Sequence, residues 1–269
     1  MTPAREIAPA KLNLALHVRG KREDGRHEIE TIFAFCIDGD LLSVEPADGL
    51  SLTAGGPFVA ELGSIDENMV MRAAIALREA SGTSTGASIH LDKRLPVASG
   101  IGGGSADAGA ALRLLTALWG TDPQFAVDVA PRLGSDVPAC LLSLPARGKG
   151  AGDVLSPIDL GELSGKPVLL VNPRVPLSTA DVFERWGNGD GGSLGEWRDG
   201  GNDLQQAAIA LAPQIETVLA MLAVQPGAEL ARMSGSGATC FALFVSDKAR
   251  DSAADQIPRE WWRLATSLR

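Results

Sequence analysis

From residue 11 to 18 the chain alternates, with Leu12, Leu14 and Leu16 pointing one way and Asn13, Ala15 and His17 the other. A period of two predicts a strand. Residues 19–26 are charged and carry the turn pair Asp24-Gly25. Residues 29–37 are apolar and β-prone, and Asp38-Gly39-Asp40 reads as a turn into a further strand over 41–44. The opening quarter thus predicts a strand-rich meander. Over 67–80 the period changes, placing Val70, Ala73, Ala74 and Leu77 on one helical face. Residues 87–91 predict a strand. A helix follows with the apolar stripe Ala108, Ala111, Leu112, Leu115, Leu118 and Trp119, stopped by Gly120.

A second helical stretch begins near Asp136 and gives way to Gly- and Pro-containing sequence over 145–157. Residues 168–171 predict a buried strand, and the polar, glycine-rich segment 187–201 an exposed loop. A helical pattern covers 204–222. Strands are predicted at 229–233 and 239–245, separated by Ser234-Gly235-Ser236-Gly237. No internal repeat is visible. The pattern predicts an α+β protein of two domains with antiparallel sheets, residues 1–155 and 156–269.

Composition narrows the partners. With 45% hydrophobic and 21% charged residues in 269, the chain can bury a core without disulfides. A formal net charge of −9 speaks against nucleic acid as a partner, because such binding depends on Lys and Arg neutralising phosphates. Anionic small molecules must then be met by local donors. Cys36, Cys140 and Cys240 are far apart in apolar stretches and are expected to be buried, reduced thiols, which points to a cytoplasmic protein. The N-terminal residues lack the apolar core of a signal peptide, and no run approaches the roughly 18 apolar residues of a membrane span.

Chemistry concentrates at Ser99-Gly100-Ile101-Gly102-Gly103-Gly104-Ser105, between a predicted strand and a predicted helix. Glycines there let backbone N–H groups approach an anion, and the positive end of the helix adds to the field. The loop is not a Walker A sequence, since no lysine follows the glycines. Nor is it a dinucleotide fingerprint, since the sixth position is Ser105 counted from Gly100 and Asp107 counted from Gly102. A phosphate cradle, a flexible turn and a close helix–sheet contact are the readings of the loop alone.

Pro96-x-x-x-Gly-Ile-Gly-Gly-Gly-Ser-Ala-Asp resembles the central motif of the GHMP kinases, the superfamily of galactokinase, homoserine kinase, mevalonate kinase and phosphomevalonate kinase. Two more motifs of that superfamily stand in the same order, Pro9-Ala-Lys-Leu-Asn-Leu14 and Met233-Ser-Gly-Ser-Gly-Ala-Thr-Cys-Phe241. Further segments, Arg22-x-Asp-Gly-x-His27, Thr31-Ile-Phe33 and Gly134-Ser-Asp-Val-Pro138, resemble the branch that phosphorylates the 2-hydroxyl of a methylerythritol carrying cytidine diphosphate, on the non-mevalonate route to isoprenoid precursors. The resemblance implies an N-terminal domain like ribosomal protein S5, a ferredoxin-like C-terminal domain, and ATP with Mg2+ as cofactors; it assigns no Mg2+ ligands. The expected assembly is a monomer or weak homodimer.

The resemblance also implies roles for residues that have plainer readings. Asp136 by itself reads as a helix cap; in the family its counterpart is the catalytic base. Lys11 by itself reads as a surface charge; in the family it stands beside that base and offsets phosphoryl charge. Asn13, Arg26, His27, Thr179 and Phe183 are implied in substrate binding. His27 is suited to reading cytosine because imidazole both donates and accepts, whereas His17 and His90 are expected to be structural. Where relatives often carry an aromatic before that histidine, this chain has Arg26, and it contains no tyrosine. A guanidinium can lie flat on a π-system. Asn68, Lys93, Pro96, Gly100, Gly102, Gly103, Gly104 and Ser105 are implied in ATP binding, with Ala106 where a second serine is common. The alternatives are another GHMP kinase, of homoserine or mevalonate type, and a non-catalytic nucleotide-binding member of the fold.

Overall fold

A computed structural model describes residues 3–187 and 189–269. The strands are β1 Ala4–Lys21, β2 His27–Ala47, β3 Leu50–Gly55, β4 Gly86–Asp92, β5 Ala146–Lys149, β6 Val154–Pro157, β7 Pro167–Asn172, β8 Ala228–Met233, β9 Cys240–Phe244 and β10 Trp262–Ser267. The helices are α1 Met69–Ser81, α2 Gly103–Trp119, α3 Pro123–Leu133, α4 Val137–Leu142, α5 Thr179–Trp186, α6 Gln205–Leu211, α7 Gln214–Ala223 and α8 Asp247–Ala254. They form two compact units that interleave in sequence. One holds the chain up to Lys11, Asp38–Val97 and Gly102–Ser143; the other holds Leu12–Ile37, Ala98–Ile101 and Leu144–Arg269.

In the first unit the C-terminal half of β2 pairs antiparallel with β4, Leu42 opposite Leu91 and Val44 opposite Ile89, and β4 pairs parallel with β3. Helices α1 to α4 pack on one another. The face predicted for α1 is the buried one, with Val70, Ala73, Ala74 and Leu77 fully covered. Gly120 ends α2 in a left-handed conformation, as the stop signal predicts.

Asp38-Gly39-Asp40 is not the predicted turn, because β2 runs through it without a break. Both unusual residues have other work. A Cβ on Gly39 would lie 1.8 Å from the Ala8 carbonyl oxygen of β1, so the close approach of the two backbones requires glycine. Asp40 is fully buried and paired with Lys93. A polar triplet reads as a turn only while its long-range partners are unknown.

In the second unit the N-terminal half of β2 pairs with β5, and β5 with β6. That hairpin replaces the irregular segment expected over 145–157. A separate sheet has the order β10-β7-β9-β8, antiparallel throughout, with α5 to α7 between β7 and β8 and α8 between β9 and β10. This is the β-α-β-β-α-β succession of a ferredoxin-like fold. Val168, Leu169, Leu170 and Val171 of β7 are all fully buried, as an unbroken apolar run implies. The helical pattern over 204–222 is two helices, because Pro213 interrupts it. Segment 187–201 is not simply exposed: Leu194 and Trp197 are buried, and Arg147 donates to the Leu194 and Gly195 carbonyls. Residue 188 of that segment lies outside the described residues. Cys36, Cys140 and Cys240 are buried and form no disulfide, as expected.

Gly39→Ala should destabilise the protein by about 3 kcal/mol, since a backbone carbonyl cannot move aside as a side chain can. Urea unfolding of the variant checks this; a midpoint equal to wild type would show that β1 can retreat at no cost.

Candidate active site

Lys11, the last β1 residue in the first unit, is 2% exposed, and its ammonium lies 3.1 Å from Oδ2 of Asp136. Asp136 occupies the N-cap position of α4, yet its carboxylate makes no capping hydrogen bond to the helix. The plain reading as a cap therefore fails. About a third of its side chain is exposed (34%), against 3% for Lys11, so a buried cation holds a carboxylate that solvent can reach. Arg113 of α2 secures α4 from its far end, donating to the Cys140 and Leu141 carbonyls while pairing with Glu6 of β1. These bonds satisfy carbonyls that a helix C-terminus leaves without partners.

The start of α2 lies on the same lysine. Gly102 has φ +64°, and a Cβ there would fall 2.9 Å from Lys11 Cε. A Cβ on the next residue, Gly103, would come to 3.1 Å from Lys93 Nζ. Lys93 is 1% exposed and donates to Asp40 at 2.5 Å and to Asp107 of α2 at 2.7 Å. Its backbone is also engaged, with Gly55 and Phe58. Asp40 further accepts from the backbone N–H groups of Arg94 and Leu95, which shapes the segment entering the glycine run. Burial pushes the Asp107 carboxyl up to about 8, against the pull of Lys93. Burial opposes the charge on Lys93 itself, but Asp107 and Asp40 outweigh it and raise the ammonium above its ordinary value. When Asp107 keeps its proton, the group is neutral. Its Oδ1 has no hydrogen-bond partner among the described residues.

Among the other residues implied in ATP binding, Asn68 caps α1, accepting from Val70 N–H, and Pro96 is buried. Gly104 and Ser105 form the first turn of α2 and are at least partly open to solvent. Ala106, where a second serine is common, is fully buried.

In the second unit the three motifs meet at one serine. Ser234 Oγ accepts from the Asn13 N–H and donates to the Gly100 carbonyl. Thr239 N–H donates to the Ser99 carbonyl. The Asn13 amide donates to Thr31 Oγ1, which donates in turn to the Ala15 carbonyl, so Asn13 is tied into the sheet. Thr179, in the first turn of α5, bonds Ser236 at 2.7 Å.

His27, at the start of β2, stacks on Phe183 of α5 with centroids 4.5 Å apart. Burial, with Lys21 adding to it, holds the imidazole below its usual value, which keeps it neutral near pH 7. The Arg26 guanidinium is bonded to Asp24 and lies 3.7 Å from Asp153. His17 bonds the Gly192 carbonyl and His90 bonds Thr53. Sequence reasoning missed Arg113, Asp40, Asp107 and Ser234, whose partners are distant in sequence. It also missed α3, although Asp122-Pro123 is an N-cap followed by proline at the first helical position.

Residues 68–143 match the family GHMP kinases N terminal domain, and residues 181–264 the family GHMP kinases C terminal. The 4-diphosphocytidyl-2-C-methyl-D-erythritol kinase of Rhizorhabdus wittichii is 50% identical over 277 residues, spanning 98% of this chain and 94% of the relative. That of Novosphingobium aromaticivorans is 46% identical, spanning 98% and 93%. A crystal structure of 4-(cytidine 5'-diphospho)-2C-methyl-D-erythritol kinase matches with a TM-score of 0.86 at 32% identity, covering 98% of this chain and 99% of that one. The homoserine kinase of Cytophaga hutchinsonii matches with a TM-score of 0.69 at 17% identity, a likeness of fold alone.

Asp107 has a folded-state pKa of about 8, above its ordinary 3.8. Its contribution to stability is complete below the lower value and is lost as pH rises through the upper one. Asp107→Asn cannot ionise, so its stability relative to wild type should climb between pH 5 and 9, by at most about 1.4 kcal/mol per pH unit. Urea unfolding across that range checks this; parallel curves for the two proteins would contradict it.

Proposed function

Because the chain belongs to the GHMP kinases, and within them to the 4-diphosphocytidyl-2-C-methyl-D-erythritol kinases, we propose that it transfers the γ-phosphate of ATP to the 2-hydroxyl of 4-diphosphocytidyl-2-C-methyl-D-erythritol. The observation that carries the mechanism is the Lys11–Asp136 pair, in which a carboxylate freed from capping is held by a buried ammonium. Asp136 accepts the proton of the attacking hydroxyl. Lys11 fixes that carboxylate and offsets charge on the phosphoryl group in flight. No covalent enzyme intermediate is required, so catalysis is positioning and electrostatics.

The phosphates are received by backbone N–H groups at the start of α2, where the helix end favours negative charge. Bound Mg2+ would offset charge on the phosphates. Among the described residues no three metal-ligating side chains gather into a site. Lys93 acts on the nucleotide indirectly, by fixing the shape of the glycine run. His27 and Phe183 recognise cytosine; Asn13 and Thr179 shape the same substrate's site, while Arg26 braces the turn before His27. The functional division falls near residue 155, with 1–155 bearing the phosphate loop. The setting is cytoplasmic biosynthesis of isoprenoid precursors by the non-mevalonate route. Among the described residues no helix is long and apolar enough to cross a membrane.

A coupled ADP-release assay with ATP and Mg2+ should show turnover of the cytidyl substrate and none of homoserine or mevalonate. Asp136→Asn and Lys11→Ala should each lower kcat by about 100- to 1,000-fold, the usual loss when a base or a preorganised charge is removed. Circular dichroism would establish that both variants fold. Rates within about tenfold of wild type, well short of that loss, would refute these roles.

A further inference from the structure

The Asp136 carboxylate can serve as base only if α4 holds it at a set distance from Lys11, and α4 has little means of its own to do so. The helix spans six residues, too few to be stable without packing. The carboxylate makes no capping hydrogen bond to the helix that carries it, so its place follows the place of α4 as a body.

One face of α2 receives the far end of α4. Gly109 and Arg113 are four residues apart on α2 and share that face. A Cβ on Gly109 would lie 2.7 Å from the Cys140 carbonyl carbon and 2.8 Å from its oxygen, so the two backbones meet with no room for a side chain. At that approach Nη1 of Arg113 reaches two carbonyls at once, Cys140 at 2.6 Å and Leu141 at 2.8 Å. Nε and Nη2 are each 2.6 Å from Oε1 of Glu6 on β1. β1 is also the strand that brings Lys11 to Asp136. One guanidinium thus joins the helix of the base, the strand of the lysine and the helix that follows the glycine run. A rigid fork can hold partners in several fixed directions, as the single ammonium of a lysine cannot.

We infer that Arg113 is a positioning residue for phosphoryl transfer: by clamping the end of α4 to β1, it sets the place of the Asp136 carboxylate against the Lys11 ammonium. This rests on Asp136 as the base, the reading given above. In that reading other residues meet the nucleotide and the cytosine, so the effect falls on kcat and spares both KM values. A displacement of about 1 Å at a reacting group can cost as much as about 100-fold in rate.

The test is a double-variant cycle in steady-state and single-turnover kinetics, with Arg113→Met placed in wild type and in Asp136→Asn. In wild type Arg113→Met should lower kcat about 10- to 100-fold, while the KM for ATP and for the cytidyl substrate stay unchanged. In Asp136→Asn the same substitution should leave the residual rate unchanged, because a clamp that acts through the carboxylate has no base left to place. Arg113→Lys, which keeps the charge but not the fork, should fall between wild type and Arg113→Met. A wild-type kcat in Arg113→Met would overturn the inference and leave the kinase reading intact. So would an equal fall in both backgrounds, the mark of a general loss of structure. If circular dichroism shows that Arg113→Met does not fold, Arg113→Lys carries the same cycle, and a wild-type kcat there overturns the inference. If Asp136→Asn itself transfers phosphate near the wild-type rate, the base reading falls, and the inference with it.

Discussion

Two buried lysines lie beneath one glycine run, and much of the first unit is arranged to permit this. Lys11 runs under Gly102, where a Cβ would collide with it, and Lys93 under Gly103, where a Cβ would make a tight contact. Two cations with almost no contact with water carry a heavy desolvation cost unless each is paired. Lys11 is paired with Asp136, and Lys93 with Asp40 and Asp107. In the proposed reading, the glycines would let backbone N–H groups face an incoming anion and let buried positive charge come near it.

The two pairings differ in a way that separates chemistry from support. Asp136 is partly open and belongs to a short helix pinned by Arg113, so its carboxylate can meet a substrate hydroxyl. Asp40 and Asp107 are shut away against Lys93 and each other, and Asp40 also accepts from backbone N–H groups, so they shape the loop from the interior. In the second unit Ser234 has a similar organising part, tying Asn13 to Gly100 through one hydroxyl. These motifs are distant in the chain because each supplies a different wall of a backbone arrangement, which no short segment could form alone.

Local chemistry was legible where local physics decides the outcome. The α1 face, the Gly120 stop, the apolar run of β7 and the three-motif order could all be read from neighbouring residues. Reading failed where a distant partner changes the meaning of a residue. Asp38-Gly39-Asp40 looks like a turn until Ala8 and Lys93 are known to lie against it. Asp136 looks like a cap until Lys11 is seen to hold its carboxylate.

The measurement that tests the central claim most directly is calorimetric binding of the cytidyl substrate, and separately of ATP with Mg2+, to Asp136→Asn, alongside a single-turnover assay. If Asp136 is the base, both ligands should bind within a few-fold of wild type while phosphoryl transfer is nearly abolished. Transfer at a rate close to wild type, or loss of binding large enough to explain the lost activity, would contradict a catalytic role for this carboxylate.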